Sequence, residues 1–197
     1  MKTWKDIRTA TLNLGFEKIK AYEKNRQAYV DAYNWRQGLI ASTIGGVIEQ
    51  IGVGCDGLHR HLFDLYRLAQ SFGEEFIGIS QTGVTYGDNI PLDGWRLTDN
   101  RYFMLPEDFS GHRVIHALVM PAPINTASED STECRLPDKW RNIMPYLMAN
   151  RLYLDDDAAK AGYYWNLYTD MRDEILAQEN IPRVSVIGGF DIDRWCF

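Results

Sequence analysis

Two apolar series at helical spacing, parted by three consecutive aspartates, constrain this chain more than any other feature. Between Leu136 and Ile175 the large side chains recur first at Trp140, Ile143, Met144, Leu147 and Leu154. They recur again at Ala161, Tyr164, Trp165, Tyr168, Met171 and Ile175. Both sets follow the i, i+3, i+4, i+7 pattern that gathers side chains on one helical face, so each predicts an amphipathic helix. Asp155-Asp156-Asp157 marks the turn between them: the first Asp is expected to cap the second helix, and the others set negative charge against its N-terminal dipole. A hairpin this rich in Tyr and Trp, in a chain without a catalytic motif, points to assembly rather than chemistry.

The remaining segments fall around that hairpin. Thr3-Trp4-Lys5-Asp6 has the form of a capping box and opens a first helix, with Ile7, Ala10, Thr11 and Leu14 on its buried side and Gly15 as its stop. A second helix is predicted from about Glu23 to Thr43, with Ala28, Ala32, Trp35 and Leu39 on its stripe, Tyr29, Tyr33 and Ile40 beside it, and Gly45-Gly46 at its end. From residue 47 short β-prone runs alternate with turn residues: 47–53, 58–63, 76–80, 83–86, 95–97, 102–105 and 113–120, with a short helix over 64–71. Pro121-Ala122-Pro123 and the polar stretch from Asn125 to Cys134 read as a linker back to helix. The predicted class is α+β: an antiparallel helical bundle, an inserted small antiparallel β subdomain and an extended C-terminal tail. Residues 1–46 supply the first helices, 47–125 the β insertion, 126–181 the hairpin that completes the bundle, and 182–197 the tail.

Composition narrows the function classes. The apolar share of 45% and charged share of 24% belong to an ordinary globular protein. A formal net charge of −6 argues against gripping nucleic acid, which takes clustered Lys and Arg. No apolar run approaches the roughly 20 residues of a membrane span, and the first residues lack the apolar core of a signal peptide. Cys55, Cys134 and Cys196 are odd in number and far apart, which fits a reducing cytoplasm better than a disulfide framework or a zinc site.

Each candidate for chemistry has a plainer reading. The Asp155–Asp157 run is placed for capping, and its spacing is wrong for a calcium loop. His59 and His61, and His112 and His116, have no carboxylate or cysteine at ligand spacing, so strand histidines suffice. Gly52-Val53-Gly54 is not followed by a helix and makes no dinucleotide turn. Glu107 and Asp108 sit at a turn. The chain is therefore expected to have no catalytic residue, no metal and no cofactor, and not to be an enzyme.

The tail differs from an ordinary terminus. Val184-Ser185-Val186-Ile187 is β-prone, Gly188-Gly189 forms a hinge, and Phe190, Ile192, Trp195 and Phe197 follow. Such a segment either seals its own bundle or docks on another chain by adding a strand or filling pockets. Docking is the expectation, with Val184, Val186, Phe190, Ile192, Trp195 and Phe197 as partner-binding residues.

Several stretches together resemble the head–tail adaptor proteins of tailed bacteriophages, also termed connector or head-completion proteins, including the tail tubular protein A-like adaptors. They are Leu12-Asn13-Leu14-Gly15-Phe16, the run from Pro145 to Asp157, Lys160-Ala161, Tyr164-Trp165-Asn166-Leu167-Tyr168, and Val184–Ile187 with Gly189-Phe190. The likeness is strongest over 136–176. It implies packed helices that assemble as a ring, twelvefold as a rule, beneath the portal protein, with the C-terminal segment on the portal and tail or nozzle proteins on the other face. It further implies a virion protein of the neck, present in the host cytoplasm during assembly, monomeric when free, with the genome passing its lumen unbound and no membrane partner. An acidic balance suits such a conduit. The rivals are another neck or tail ring protein (head-closure, collar or tail terminator) and a small cytoplasmic enzyme or ligand-binding domain whose pocket uses the β-region histidines.

Overall fold

A capping box at Thr3 opens the first element, as the sequence leads one to expect. In the computed structural model, which describes residues 2–14, 22, 24–56, 58, 61–86, 90–105 and 110–179, helix α1 runs Trp4–Asn13. The Thr3 hydroxyl accepts from the Asp6 amide at 3.3 Å, and the Asp6 carboxylate accepts from the Thr3 amide at 3.1 Å. The other helices are α2 (Arg26–Thr43), α3 (Leu65–Ser71), α4 (Asp138–Tyr153) and α5 (Ala158–Glu179). The strands are β1 (Val47–Asp56), β2 (His61–Asp64), β3 (Glu75–Tyr86), β4 (Arg96–Thr98), β5 (Tyr102–Leu105) and β6 (Ser110–Met120). Five helices and two small antiparallel sheets among the described residues make the class α+β. No helix among them is long and apolar enough to cross a membrane.

The described residues divide into two compact units, one drawn from 2–47 and 121–179, the other from 48–120. In the first, α4 is the central element: α1, α2 and α5 all pack on it. That position explains its side chains. Trp140, Arg141, Ile143, Met144, Pro145, Leu147, Met148, Ala149 and Asn150 are all buried, so α4 is enclosed around most of its circumference instead of along one stripe. Leu154, expected on the buried face, is instead exposed beyond the last turn.

One expected stripe turns out rotated, and a second departs at a single residue. On α2 the buried series is Tyr29, Ala32, Tyr33, Arg36, Gln37 and Ile40, whereas Ala28 and Trp35 are exposed. Tyr33 meets Trp4 edge to face at 5.0 Å, and the large rings of α1 and α2 fix the helix rotation that smaller Ala28 does not. On α5, Ala161, Tyr164, Tyr168 and Ile175 face inward as expected, but Trp165 is 40% exposed. The α5 cap is Asp157, the third aspartate and not the first: its carboxylate accepts from the Lys160 amide at 3.0 Å and its carbonyl from the Ala161 amide at 2.9 Å.

The stretch from Asn125 to Cys134, expected as a linker, is pinned to α1. Trp4 N donates to Thr132 O at 2.8 Å, Cys134 N to Lys2 O at 2.9 Å, and Arg8 pairs with Asp130 at 2.7 Å. Asn34 of α2 holds the preceding backbone, bonding both the carbonyl (2.8 Å) and the amide (2.9 Å) of Ile124. Gly45 and Gly46 end α2 at φ of 76° and 106°, values an L side chain rarely adopts.

In the second unit the strands form two sheets, ordered β1-β6-β3 and β2-β5-β4, where the sequence suggested one small subdomain. The runs at 76–80 and 83–86 belong to one strand. Between the pairs Ile79↔Ala117 and Val84↔Ile115, β3 advances five residues while β6 advances two, so the strand bulges there. Gly83 sits in that bulge at φ 66°. Phe103 is fully buried in the smaller sheet, against Phe63 and Trp95.

Candidate partner-binding surface

The residues predicted to bind a partner, Val184, Val186, Phe190, Ile192, Trp195 and Phe197, lie outside the described residues. So do His59, Cys196, Gly15, Glu107 and Asp108.

The other residues weighed for chemistry are placed apart. His61 lies on β2, its Nε2 3.1 Å from Asp56 Oδ1 and its ring stacked on Phe63. His112 and His116 lie on β6 of the other sheet, and buried His116 shares a 2.9 Å bond with the Thr85 hydroxyl. Among the described residues no group of three or more His, Cys, Asp or Glu is arranged to hold a metal ion. Cys55 and Cys134 are buried, unbridged thiols, and burial pushes both upward in pKa, away from the reactive thiolate. Asp157 is held below the usual carboxylate range, chiefly by the Lys160 amide it caps.

What the helical unit does offer is aromatic surface. Leu14, Tyr153, Asp157, Ala159, Lys160, Tyr163 and Tyr164 line an open depression of about 460 Å³ beside the α4–α5 turn. Its rings are ordered by one another: Tyr153 and Tyr164 stack at 5.8 Å with 9° between planes, and Tyr163 meets Tyr164 edge-on at 5.3 Å. The Tyr164 hydroxyl donates to the Leu14 carbonyl, tying α5 to the end of α1. Burial, then the neighbouring Tyr153, raises the Tyr164 pKa, so the phenol stays a neutral donor. Lys160 Nζ lies 5.0 Å from the Tyr153 ring centre and 3.5 Å from Asp157. Rings of this kind give a partner large area to cover with little rotamer freedom to lose.

A second exposed ring was missed in the sequence. Trp35, expected in the core, is 55% exposed, and the guanidinium carbons of Arg36 and Arg151 lie 4.8 and 4.9 Å from its ring centre. The overlooked signal is the series Tyr29, Tyr33, Arg36, Ile40, in which an arginine occupies an apolar position of the helical repeat. No protein-family model matches this chain, and no curated protein matches it.

Proposed function

We propose that this protein is a structural component of a tailed-phage neck, a head–tail adaptor that forms a ring beneath the portal protein and passes DNA without acting on it. The observation that carries this reading is the aromatic surface of the helical unit. Trp35, Leu154, Tyr163 and Trp165 are exposed there, while Trp4, Trp140 and Tyr168 fill the interior. Exposed Trp and Tyr at this density favour burial against other chains. In a ring each subunit meets its neighbours through two different faces, a heterologous contact closed by rotation. Such contacts bury on the order of 1,200–2,000 Å² each.

The four helices of this unit act as the bundle of the ring, and residues 182–197 act as the extended segment that docks on the portal. The net charge of −6 supports a lumen that repels phosphates and releases the genome freely. The rival ligand-binding reading needs converging histidines, and His61 is in a different sheet from His112 and His116.

The test is reconstitution on DNA-filled, portal-bearing heads followed by cryo-electron microscopy. The expected result is a ring of this chain between portal and tail. Deletion of residues 183–197 is expected to leave a folded protein that no longer attaches. Attachment to tails but not to portals would make the protein a tail terminator instead, and attachment of the truncated chain would remove the docking role of the tail.

A further inference from the structure

Trp35, Arg36 and Arg151 form an arrangement whose charge is left open. Arg36 is only 6% exposed. Its Nη2 donates to Asn150 Oδ1 at 2.6 Å, but its Nε is buried with no acceptor. Arg151 stacks on the other guanidinium's indole partner, and neither arginine meets a carboxylate among the described residues. Arg8, Arg101, Arg141 and Arg172 each do. Desolvation first, then the like charge of Arg151, pushes the Arg36 guanidinium below its ordinary pKa. A guanidinium stays protonated at physiological pH even so, and the site therefore holds two positive charges that no carboxylate among the described residues neutralises. Burying an unpaired charge is costly, and a single incoming carboxylate would relieve both.

The surroundings select a carboxylate over nucleic-acid phosphates. Asp31 is exposed one turn before Trp35, and Asp155 is exposed one turn beyond Arg151, so negative charge flanks the pair. A polyanion gains from a run of unpaired cations, whereas the two arginines here lie between exposed aspartates. A carboxylate is the planar acceptor that guanidiniums bind best, and the Trp35 ring beside both arginines gives it an apolar neighbour.

We propose that Trp35, Arg36 and Arg151 receive an aspartate or glutamate carboxylate from a second copy of this chain. The choice of occupant rests on the ring reading above and on charge complementarity. The chain is acidic overall at −6, and Asp155, Asp156 and Asp170 are exposed without a side-chain partner among the described residues. Trp35 is then the covered centre of the contact, in the manner of interface hot spots.

Sedimentation velocity of the full chain, up to hundreds of micromolar and at about 0.05 and 0.5 M salt, tests this. The free chain is monomeric when dilute on the ring reading, so the wild type is expected to self-associate only weakly, toward the upper end of that range, and less so at high salt. Arg151→Glu is expected to weaken association by about tenfold or more and to remove its salt dependence, while Arg151→Lys retains part of it. Trp35→Ala, at an exposed position, guards against misfolding of the charge variants and is expected to weaken association too. Mixing Arg151→Glu with an Asp155→Arg, Asp156→Arg or Asp170→Arg copy is expected to restore it for the true donor. A wild type still monomeric at hundreds of micromolar, or folded Arg151→Glu and Trp35→Ala that associate normally, overturns the site. Binding of a DNA duplex that Arg151→Glu abolishes overturns it in favour of phosphate. Failure of the wild type to join portal-bearing heads strikes the ring reading alone, because association in solution still decides the site.

Discussion

Asn150 is a buried side chain whose two bonds hold three helices of the helical unit together. From α4 it accepts from Arg36 of α2 at 2.6 Å and donates to the Ala161 carbonyl of α5 at 2.9 Å, so one amide joins three helices. Asn150→Ala deletes both bonds. A hydrogen bond to a charged group is worth about 1.5–3 kcal/mol and a neutral one about 1 kcal/mol. The change also leaves the buried Arg36 guanidinium without its acceptor, which moves the expected loss toward the upper end, about 3–5 kcal/mol. Urea unfolding followed by circular dichroism and tryptophan fluorescence measures it, with the loss expected in the transition of the helical unit. Asn150→Asp turns an oxygen toward the Ala161 carbonyl in place of a donor but gives Arg36 a charged acceptor, so it is expected to cost less than Asn150→Ala. In the cycle with Arg36→Met the coupling is expected to be about 1.5–3 kcal/mol, because the double variant no longer buries an unpaired charge. A loss below about 1 kcal/mol for Asn150→Ala, or additivity in the cycle, would refute the reasoning.

Three further outcomes follow from the same geometry. Trp140→Ala is expected to cost about 3–5 kcal/mol, and Trp165→Ser, at a position 40% exposed, at least about 1 kcal/mol less in the same unfolding assay; equal costs would contradict their difference in burial. Gly83→Ala places a Cβ 3.0 Å from the Trp95 ring at φ 66°, and thermal melts are expected to show a loss of about 1–2 kcal/mol. Asp130 is held below the usual carboxylate range, first by its bond from Arg8. A depressed folded pKa adds stability above the unfolded value of about 3.9 and loses it as the pH falls through the folded value. The stability gap between wild type and Asp130→Asn is therefore expected to close below about pH 4 and to hold constant above it; a gap independent of pH in acid removes the linkage.

Local signals carried most of the elements. The Thr3–Asp6 capping box, the Gly45-Gly46 stop and the helix after Asp64 are short-range features, in which a side chain bonds backbone a few residues away or a backbone angle demands glycine. The same locality explains the errors. Periodicity finds a stripe but not its rotation, and Ala28 with Trp35 was as good a series as Tyr29 with Tyr33 until Trp4 packed on the latter. The joining of 76–80 and 83–86 into one bulged strand depends on β6, whose paired residues Ala117 and Ile115 lie 38 and 31 positions further along the chain than Ile79 and Val84. The Asn125–Cys134 stretch looked like a linker because its bonds go to Lys2, Trp4 and Arg8, at the other end of the chain.

For the candidate surface, the chain's own order of residues determined its chemistry: many Tyr and Trp, an acidic excess, and the acid turn between two helices. Which rings meet solvent was a tertiary decision. Enclosure of α4 by three helices used up Trp140 and its neighbours as core, and left Trp35 and Trp165 outside. The pairing of Arg36 with Arg151 over one indole was likewise invisible, since 115 positions separate them in the chain. Sequence fixes what each residue can do within a turn or two of itself; only long-range packing sets which face of a helix is buried and which charges are left without a partner.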